Sequence, residues 1–419
     1  MTILIKDAPL NTTLAPDASL REVSGIPAWL TVLLAVSCGL IAANVYYAQP
    51  LIGPISASLG LSPQTAGLIM TMTQMGYGAE LLLVAPLGDL FENRRLVVLI
   101  LCAAVLALLG AAVSTHAATF LVAALLIGVG SVAVQVLVPY AVHLAPEAVR
   151  GRVVGNVMSG LMIGVMLARP AASFMTEAWS WRAVFAASAL LMACLAVVLR
   201  LALPPRQPAP GLGYQALLAS MGRLARHTPV LQRRTLYQCC LFGGFSLFWT
   251  TVPLLLAGPF RLSQNGIALF ALVSVAGAVA APVVGRAADL GWSKPATTGA
   301  MVTVAASLLL SRFCASGSSA ALAMLVAAAI LLDFGVTANF TLGQRAIFSL
   351  DAEFRSRLNG LYIATFFTAG AACSALGAWT YHKGGWPLTM WVGFSLPMLA
   401  LACTLTERSP APPHKGQHV

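Results

Sequence analysis

Charged residues are scarce in this sequence. They make up 9% of its 419 residues, against about a quarter in soluble domains, and only 13 of them are acidic. A chain with so little charge and 59% hydrophobic residues is not expected to be a soluble globular protein. Its mean hydropathy of +0.85 and its apolar runs of about 18–25 residues, a length that crosses a bilayer as a helix, predict an all-α membrane protein.

Several motifs are also absent from the sequence. No CxxC or His-spaced pattern surrounds its eight cysteines, so neither a metal site nor a disulfide framework is predicted. No Walker sequence occurs, which disfavours ATP-driven transport within this chain. No nucleophile–base pair or pair of carboxylates indicates an enzyme, and no cleavable signal precedes the first apolar run. We therefore predict no enzymatic activity and no cofactor.

The basic residues are concentrated on one side of the predicted spans. By the positive-inside rule that side is the cytoplasm, which places both termini there. The net charge of +11 then reflects membrane topology, so no nucleic-acid partner is predicted.

The apolar runs predict twelve transmembrane helices, arranged as two six-helix bundles. The predicted spans are 28–57, 64–87, 95–113, 117–143, 152–176, 180–202, 236–258, 264–288, 295–313, 318–347, 357–381 and 385–405. A cytoplasmic tail (1–27) precedes the first bundle (28–202), and a second tail (406–419) follows the other bundle (236–405). Between the bundles lies a cytoplasmic loop (203–235) with a basic amphipathic segment, which is suited to the inner leaflet.

The two bundles are related as repeats. GVG at 128–130 aligns with DFG at 333–335, and RGRVVG at 150–155 aligns with RSRLNG at 355–360, each 205 positions apart. Trp181 and Trp386 keep the same offset. Two parallel repeats of this kind predict a pseudo-two-fold axis along the membrane normal, with a binding site between the halves.

Over essentially its whole length the chain resembles the major facilitator superfamily. The connection PLGDLFENRR looks like the family's GxLADRxGRR signature and keeps Asp89, Arg94 and Arg95; GRAADLGWSK is a weaker copy with Asp289. Segments such as NVYYAQPLIGPI and LLDFGVTANFTLGQ resemble the bacterial branch of proton-coupled drug, sugar and purine-nucleoside exporters. The resemblance implies alternating access, with these four residues as a conformational latch; a plain solvated turn is the alternative.

Asp333 is the central candidate residue. A helix through its apolar run puts Asp333, Thr337, Thr341 and Gln344 on one face. Because a carboxylate facing lipid costs about 3 kcal/mol or more, that face must look onto water or a partner helix. A carboxyl group buried there can gain and lose a proton, so we predict Asp333 as the proton-coupling group. A protonated Asp333 hydrogen-bonded inside the bundle is the alternative.

Glu80 and Arg169 are the other charged residues predicted deep in the membrane. Glu80 is either a second proton-coupling group or a carboxylate at the wet inner end of its span. Arg169 lies 17 residues beyond Arg152, about 25 Å along a helix, which places it toward the outer half, at a depth similar to that of Asn44, Tyr46, Tyr47 and Gln49 in the first span. It is either an anchor for an anionic or carbonyl-bearing substrate or a clamp between helices. The resemblance also implies an arginine on the fourth span, but Ala124 stands near its place, which disfavours the usual Arg-assisted proton relay.

Further residues are predicted to line the substrate cavity, with plain packing as the alternative for each. Together with Arg169 they are Tyr46, Tyr47, Gln49, Gln135, Trp249, Thr337, Asn339, Thr341 and Tyr362. These features predict a monomeric, proton-driven exporter of a small organic compound. Proton-coupled uptake on the same fold is the second hypothesis, and a non-transporting membrane sensor is the third.

Overall fold

A computed structural model describes residues 27–62, 65–146, 149–207, 213–350 and 354–406. Within these ranges the side chains of positions 85, 89, 274, 276 and 278 are not described. Every regular element in the described ranges is a helix. Most of both predicted tails lies outside them.

The helices follow the predicted spans along the chain. In the first half they are α1 (Ala28–Ala43), α2 (Ile52–Leu59), α3 (Leu68–Leu83), α4 (Asn93–Val113), α5 (Ala117–Val129), α6 (Ala133–Leu144), α7 (Arg150–Ala178) and α8 (Trp181–Ala202). After α9 (Tyr214–His227) come α10 (Pro229–Ala257), α11 (Gln264–Ala271), α12 (Ala280–Asp289), α13 (Ser293–Ser311), α14 (Ser319–Phe348) and α15 (Arg355–Thr404). Short 3₁₀ segments cover Ala85–Asp89 and Leu272–Val279.

Several of these helices are membrane-spanning by length and composition. Eight described helical segments are long and apolar enough to cross a bilayer, and α1 is a shorter apolar helix. The longest, α15, is interrupted at Gly384 and Gly385. Gly385 has a φ of 64°, a conformation that glycine adopts far more readily than other residues, and the interruption falls where the sequence predicts the boundary between two spans.

Three predicted spans are broken inside the membrane region. The first is divided into α1 and α2, the fourth into α5 and α6, and the eighth into α11, a 3₁₀ segment and α12. Irregular backbone at membrane depth is tolerated only inside protein or beside a cavity. At the first break, Asn44 Nδ2 donates to the carbonyl of Ile41 at 3.2 Å, and Ser188 Oγ donates to Asn44 Oδ1 at 2.5 Å. Side-chain hydrogen bonds therefore stabilise the broken segment.

The buried hydrophobic residues form two main cores. The first core draws its buried residues from Leu30 to Leu203, and the second draws most of them from Leu231 to Ala400. The two parts meet where α3 packs on α15 and where α7 packs on α11. We call these contacts the α3–α15 seam and the α7–α11 seam.

Glycine allows close helix contacts in the segments GVG (128–130) and GLMIG (160–164). A Cβ atom at Gly128 would collide with the Thr73 carbonyl oxygen of α3. One at Gly164 would collide with the backbone of Gly39 in α1. Small residues at such crossings let the helix backbones approach closely, which sets α1 directly against α7.

Candidate functional site

The site lies between the two cores and contains both a buried cation and a buried anion. Arg169 on α7 and Asp333 on α14 are 3% and 5% exposed. Trp249 on α10 connects them. Its Nε1–H donates to Asp333 Oδ1 at 3.1 Å, and its ring lies 4.4 Å from the Arg169 guanidinium carbon. A charge from the first part of the chain thus faces one from the second, with an indole between them.

Arg169 is held by the irregular segment between α1 and α2. Its Nε donates to Gln49 Oε1 at 2.6 Å, and its guanidinium also faces the rings of Tyr46 at 5.1 Å and Phe245 at 5.4 Å. A cation enclosed by aromatic faces is stabilised electrostatically by the rings. The sequence correctly predicts that Tyr46 and Gln49 lie at the depth of Arg169, and the structure shows that Arg169 joins α7 to α10 and to this segment.

Three buried polar atoms of this cluster lack a hydrogen-bond partner among the described residues. They are Arg169 Nη2, Gln49 Nε2 and Asp333 Oδ2. Leaving such groups unpaired costs free energy, so they are available to a ligand, a proton or water. Two of them donate and one accepts. Arg169 and Asp333 are also not among the ion pairs found in the described residues.

Glu80 on α3 occupies a different environment. It is 2% exposed, and its Oε2 accepts a hydrogen bond at 3.1 Å from the backbone N–H of Val132. That N–H lies at the break between α5 and α6, so the carboxyl group satisfies a donor that an unbroken helix would have used itself. Glu80 therefore links two helices of the first part of the chain and does not reach the Arg169 cluster through any described hydrogen bond.

A cavity of about 460 Å³ lies at the arginine-rich end of the bundle, the end at which α4, α7 and α15 begin. Gln135 lines it and donates to Tyr77 Oη at 3.3 Å. On the other side it is lined by Asn359, which accepts a hydrogen bond at 3.0 Å from Gln344. Leu217 of α9 also lines this cavity. Gln135 is thus in a cavity wall, but no residue of the Arg169 cluster lines this cavity.

The remaining predicted cavity residues pack within the second core or beside it. Asn339 is buried and donates to Gln238 Oε1 at 2.7 Å. Tyr362 is fully buried and stacks on Phe340 with 6.0 Å between ring centroids. Thr341 Oγ1 donates to the carbonyl of Thr337 at 2.9 Å. Both threonines are half-buried and share the α14 face with Asp333.

Tyr47 departs from the Arg169 cluster, although its neighbour Tyr46 belongs to it. Tyr47 is half-buried, packs against the first core and lines a groove between α1 and α7. Trp249, by contrast, belongs to the cluster. It is predicted to line the cavity, and in the structure its indole N–H also donates a hydrogen bond to Asp333.

The predicted latch residues of the first part pair locally. Arg94 and Arg95 both contact Glu92, at 3.2 Å and 2.7 Å. The Asp89 side chain lies outside the described residues. In the family the two basic residues accompany the aspartate, whereas here the described partner is Glu92, one of the positions where this sequence departs from the signature.

The second copy of the signature also pairs within its own part of the chain. Asp289, at the end of α12, forms an exposed ion pair with Arg345 of α14. The described contacts of the predicted latch residues are therefore intradomain. A role in the conformational cycle stays a prediction.

Two glutamines near the interface were not among the predicted site residues. Gln74 of α3 donates to Ser246 Oγ of α10 at 3.2 Å, and Gln238 of α10 accepts from Asn339. A buried amide in an apolar run is a usable signal, because it needs a partner. In contrast, the Val132 N–H belongs to the backbone, so no side chain in the sequence indicates that it donates to Glu80.

Comparison with known proteins agrees with this architecture. The sequence matches the Major Facilitator Superfamily over residues 34–314 and 235–418. The chain therefore belongs to this superfamily of transporters and is not an enzyme.

Relatives include both uncharacterized transporters and efflux pumps. A putative uncharacterized transporter of Escherichia coli K12, YgaY, is 37% identical over 373 residues, which are 89% of this chain and 94% of that protein. A chloramphenicol efflux pump of Mycobacterium tuberculosis H37Rv is 27% identical over 254 residues, which are 59% of this chain and 60% of that protein. The crystal structure of a D-xylose–proton symporter superposes with a TM-score of 0.71 at 14% identity, covering 89% of this chain and 96% of that one; at this identity the likeness shows the fold alone.

Proposed function

We propose that this protein is a proton-driven exporter of a small organic compound that works by alternating access in the bacterial inner membrane. In this proposal twelve helices cross the bilayer as two six-helix halves, 28–202 and 236–405, joined by the loop 203–235. Both termini (1–27 and 406–419) lie in the cytoplasm, and the protein acts as a monomer. The arginine-rich end then faces the cytoplasm, as the positive-inside rule requires.

The observation that carries the proposal is the position of Asp333. It is a buried carboxyl group on the interface between the two cores, and its contact Trp249 also faces the cation of the opposite half. When the halves rock, groups at this interface change partners and compartments. A carboxyl group placed there can take a proton from one side and release it to the other.

The residues of the cluster have distinct tasks in this cycle. Deprotonated Asp333 accepts the indole N–H of Trp249 and offsets the charge of Arg169. Protonation of Asp333 removes that offset, and an uncompensated buried cation is costly. Arg169 then needs another acceptor or access to water, which favours opening of the interface. Substrate competes for the same unpaired atoms, Arg169 Nη2, Gln49 Nε2 and Asp333 Oδ2.

Sequence similarity to an efflux pump favours export over uptake. The Mycobacterium tuberculosis relative is an efflux pump for chloramphenicol, and the match extends over more than half of each chain. The YgaY relative carries no stated substrate. We infer efflux of an organic compound and assign no substrate beyond that.

Purified protein in proteoliposomes provides the test. A compound library screened by thermal stabilisation supplies the ligand, and an interior pH dye then reports proton movement when that ligand is added. Export by antiport predicts that substrate moving one way drives protons the other way. No ligand-dependent pH change with any stabilising compound contradicts the proposal and leaves a non-transporting sensor.

One feature favours proton-coupled uptake as a second candidate. Arg169 carries a permanent charge, so an anionic ligand that binds it releases Asp333 from its role as counter-charge and lets Asp333 take a proton. Proton and anion then bind together and move in the same direction. The sign of the pH change in the same vesicles distinguishes the two mechanisms.

A further inference from the structure

A second, larger concavity lies on the first part of the chain. It is a groove of about 920 Å³ between α1 and α7, within the range of sizes that hold small-molecule ligands. Exposed apolar side chains form much of its wall, including Val32 and Val36 of α1 and Ile163 and Leu167 of α7. An apolar ligand, or the apolar part of one, fits such a wall.

A polar stripe runs along the α7 side of the groove. Arg152, Asn156 and Ser159 line it at spacings of four and three residues, so they share one helix face. All three are exposed, and Asn156 and Ser159 lie about 6 and 10 Å beyond Arg152 along α7. Ser159 Oγ donates to the carbonyl of Gly155 at 2.9 Å, whereas a guanidinium or an amide such as that of Asn156 is unfavourable against lipid. The stripe therefore faces water or the polar group of a ligand.

Arg152 gives the groove its charge. In the part of the chain that the structure describes, it forms no ion pair and no hydrogen bond through its side chain. A guanidinium at the mouth of an apolar groove favours a ligand with an anionic or acceptor-bearing head.

The groove leads toward the Arg169 cluster. Its far end is lined by Tyr47 and Ala168, the chain neighbours of Tyr46 and Arg169. Arg169 and Gln49 do not themselves line the groove. Their donors without a described partner, Arg169 Nη2 and Gln49 Nε2, are buried in the adjacent Arg169 cluster. A head group that accepts hydrogen bonds from Arg152 therefore meets matching donors only after it passes from the inner end of the groove into the Arg169 cluster.

The two seams between the cores differ at the arginine-rich end. Along the α3–α15 seam, contacts continue from Gly67 beside Ala378 to Gly78 beside Ala364. Beyond them α9 covers the 460 Å³ cavity, where Tyr214 Oη donates to the carbonyl of Leu83 at 2.8 Å.

On the other seam, α7 packs on α11 and on the 3₁₀ segment Leu272–Val279, whereas α12 packs on α13 and α14. At the end of α7 opposite Arg152, Glu177 Oε2 accepts the backbone N–H of Gln264 at 3.0 Å. The α7–α11 seam is therefore joined at the end of α7 that carries Glu177. The α1–α7 groove extends to the opposite end of α7, which carries Arg152.

We propose that the α1–α7 groove is the entry site for an amphiphilic substrate that comes from the bilayer leaflet at the arginine-rich end. The apolar body lies along Val32, Val36 and Ile163, and the acceptor-bearing head moves from Arg152 past Asn156 and Ser159 toward Arg169. This inference rests on the proposed export function and names the class of substrate that the exporter takes.

Photo-crosslinking tests the groove directly. The full-length protein carries benzoylphenylalanine at Ile163, inside the groove, or at Leu106, an exposed position of α4 with similar access to lipid. The probe is dansylaminoundecanoic acid, a fluorescent amphiphile with a carboxylate head, added to vesicles of zwitterionic phosphatidylcholine. We expect several-fold more labelling at position 163 than at 106. Arg152→Gln should lower labelling at 163 several-fold, and Arg150→Gln, at a neighbouring arginine outside the groove, should not.

The possible results separate this inference from the export function. Equal labelling at both positions, or no effect of Arg152→Gln in protein with wild-type thermal unfolding, shows only partitioning into lipid and overturns the groove. Labelling at 163 that excess unlabelled fatty acid does not reduce assigns the groove to the lipid of the vesicle and also overturns it. Head-dependent labelling without gradient-driven transport supports the groove and contradicts the export function. Gradient-driven transport with equal labelling does the reverse.

Discussion

Glu80 and Asp333, the two buried carboxyl groups among the described residues, are similarly inaccessible but differently connected. Glu80 accepts the backbone N–H of Val132 within the first part of the chain. Asp333 accepts a side-chain N–H from Trp249, whose ring also contacts a cation of the other part. The first bond persists when the two halves move as rigid bodies, whereas the second environment changes. In the proposed cycle, position relative to the interface between the halves, more than burial, is what makes Asp333 the stronger candidate for proton coupling.

Pseudosymmetry sharpens this contrast. Asp333 aligns with Gly128, 205 positions earlier, and both sit at close crossings of corresponding helices. Gly128 packs on Thr73 of α3, and Asp333 packs on Gly277 of the broken eighth span. In the second half the glycine of this crossing, Gly277, lies on the partner helix. The position on α14 can therefore carry a carboxyl side chain. The same crossing is thus a passive contact in one half and the candidate coupling site in the other.

The largest effect is expected from Asp333→Asn. The amide keeps the size of the side chain and can still accept the Trp249 N–H, but it cannot exchange a proton. Proton-driven accumulation should be lost entirely, while exchange of substrate down its own gradient persists. Vesicle transport with and without a pH gradient measures both.

Asp333→Glu serves as the matched control, since it retains a carboxyl group. It should keep part of the uphill transport if the variant folds, as judged by thermal unfolding. Normal gradient-driven accumulation by the Asn variant would remove Asp333 from the coupling mechanism.

Arg169→Lys is expected to have the next largest effect, on ligand binding. Lysine keeps the charge but lacks the planar fork, so the bond to Gln49 and the unpaired Nη2 donor are both lost. Hydrogen bonds to charged groups contribute about 1.5–3 kcal/mol, so ligand affinity should fall at least about tenfold. Titration calorimetry with a compound found by thermal stabilisation measures this.

Arg182→Lys is the matched control for that change. Arg182 donates hydrogen bonds to Ser58 Oγ and to the carbonyl of Ser114. Neither of these two residues belongs to the Arg169 cluster. Its replacement should leave ligand affinity unchanged. Equal affinity in wild type and Arg169→Lys would make Arg169 a structural clamp only.

Glu80→Gln should have a smaller effect, because the glutamine carbonyl can still accept the Val132 N–H. We expect wild-type coupling stoichiometry and an unchanged pH profile of transport. Glu80→Leu leaves that buried N–H unsatisfied at a cost of about 1–3 kcal/mol, so it should lower the temperature of unfolding. A changed pH profile in the Gln variant would instead assign Glu80 a second proton.

The sequence predicts some of these features well and others not at all. Apolar runs locate the spans, because a bilayer requires long apolar helices. Counting the helical rise from Arg152 places Arg169 at the depth of Gln49. The breaks at 44–51 and 130–132 were not predicted, since they depend on Ser188 and Glu80, which are distant along the chain. The hydrogen bond between Trp249 and Asp333 likewise depends on packing between helices, because these residues are 84 positions apart in the sequence.

A small effect is also expected from Asp89→Asn, which tests whether the signature near α4 works as a latch. A latch stabilises one conformation only, so its loss shifts a population without removing a binding contact. Partly exposed charge pairs contribute about 1 kcal/mol or less, which is about a fivefold shift near an even balance of states. Asp89→Asn should favour the inward-open state and slow turnover, with intrinsic ligand affinity unchanged.

Asp289→Asn, in the second copy of the signature, is the matched comparison. Its described partner Arg345 belongs to the same part of the chain, so its loss should shift the two states less than the loss of Asp89 does. Spin-label distances between the arginine-rich ends of the two halves measure both variants. A wild-type distance distribution for Asp89→Asn would reduce that residue to a turn, and then the local pairing of Arg94 and Arg95 with Glu92 is sufficient to explain the signature.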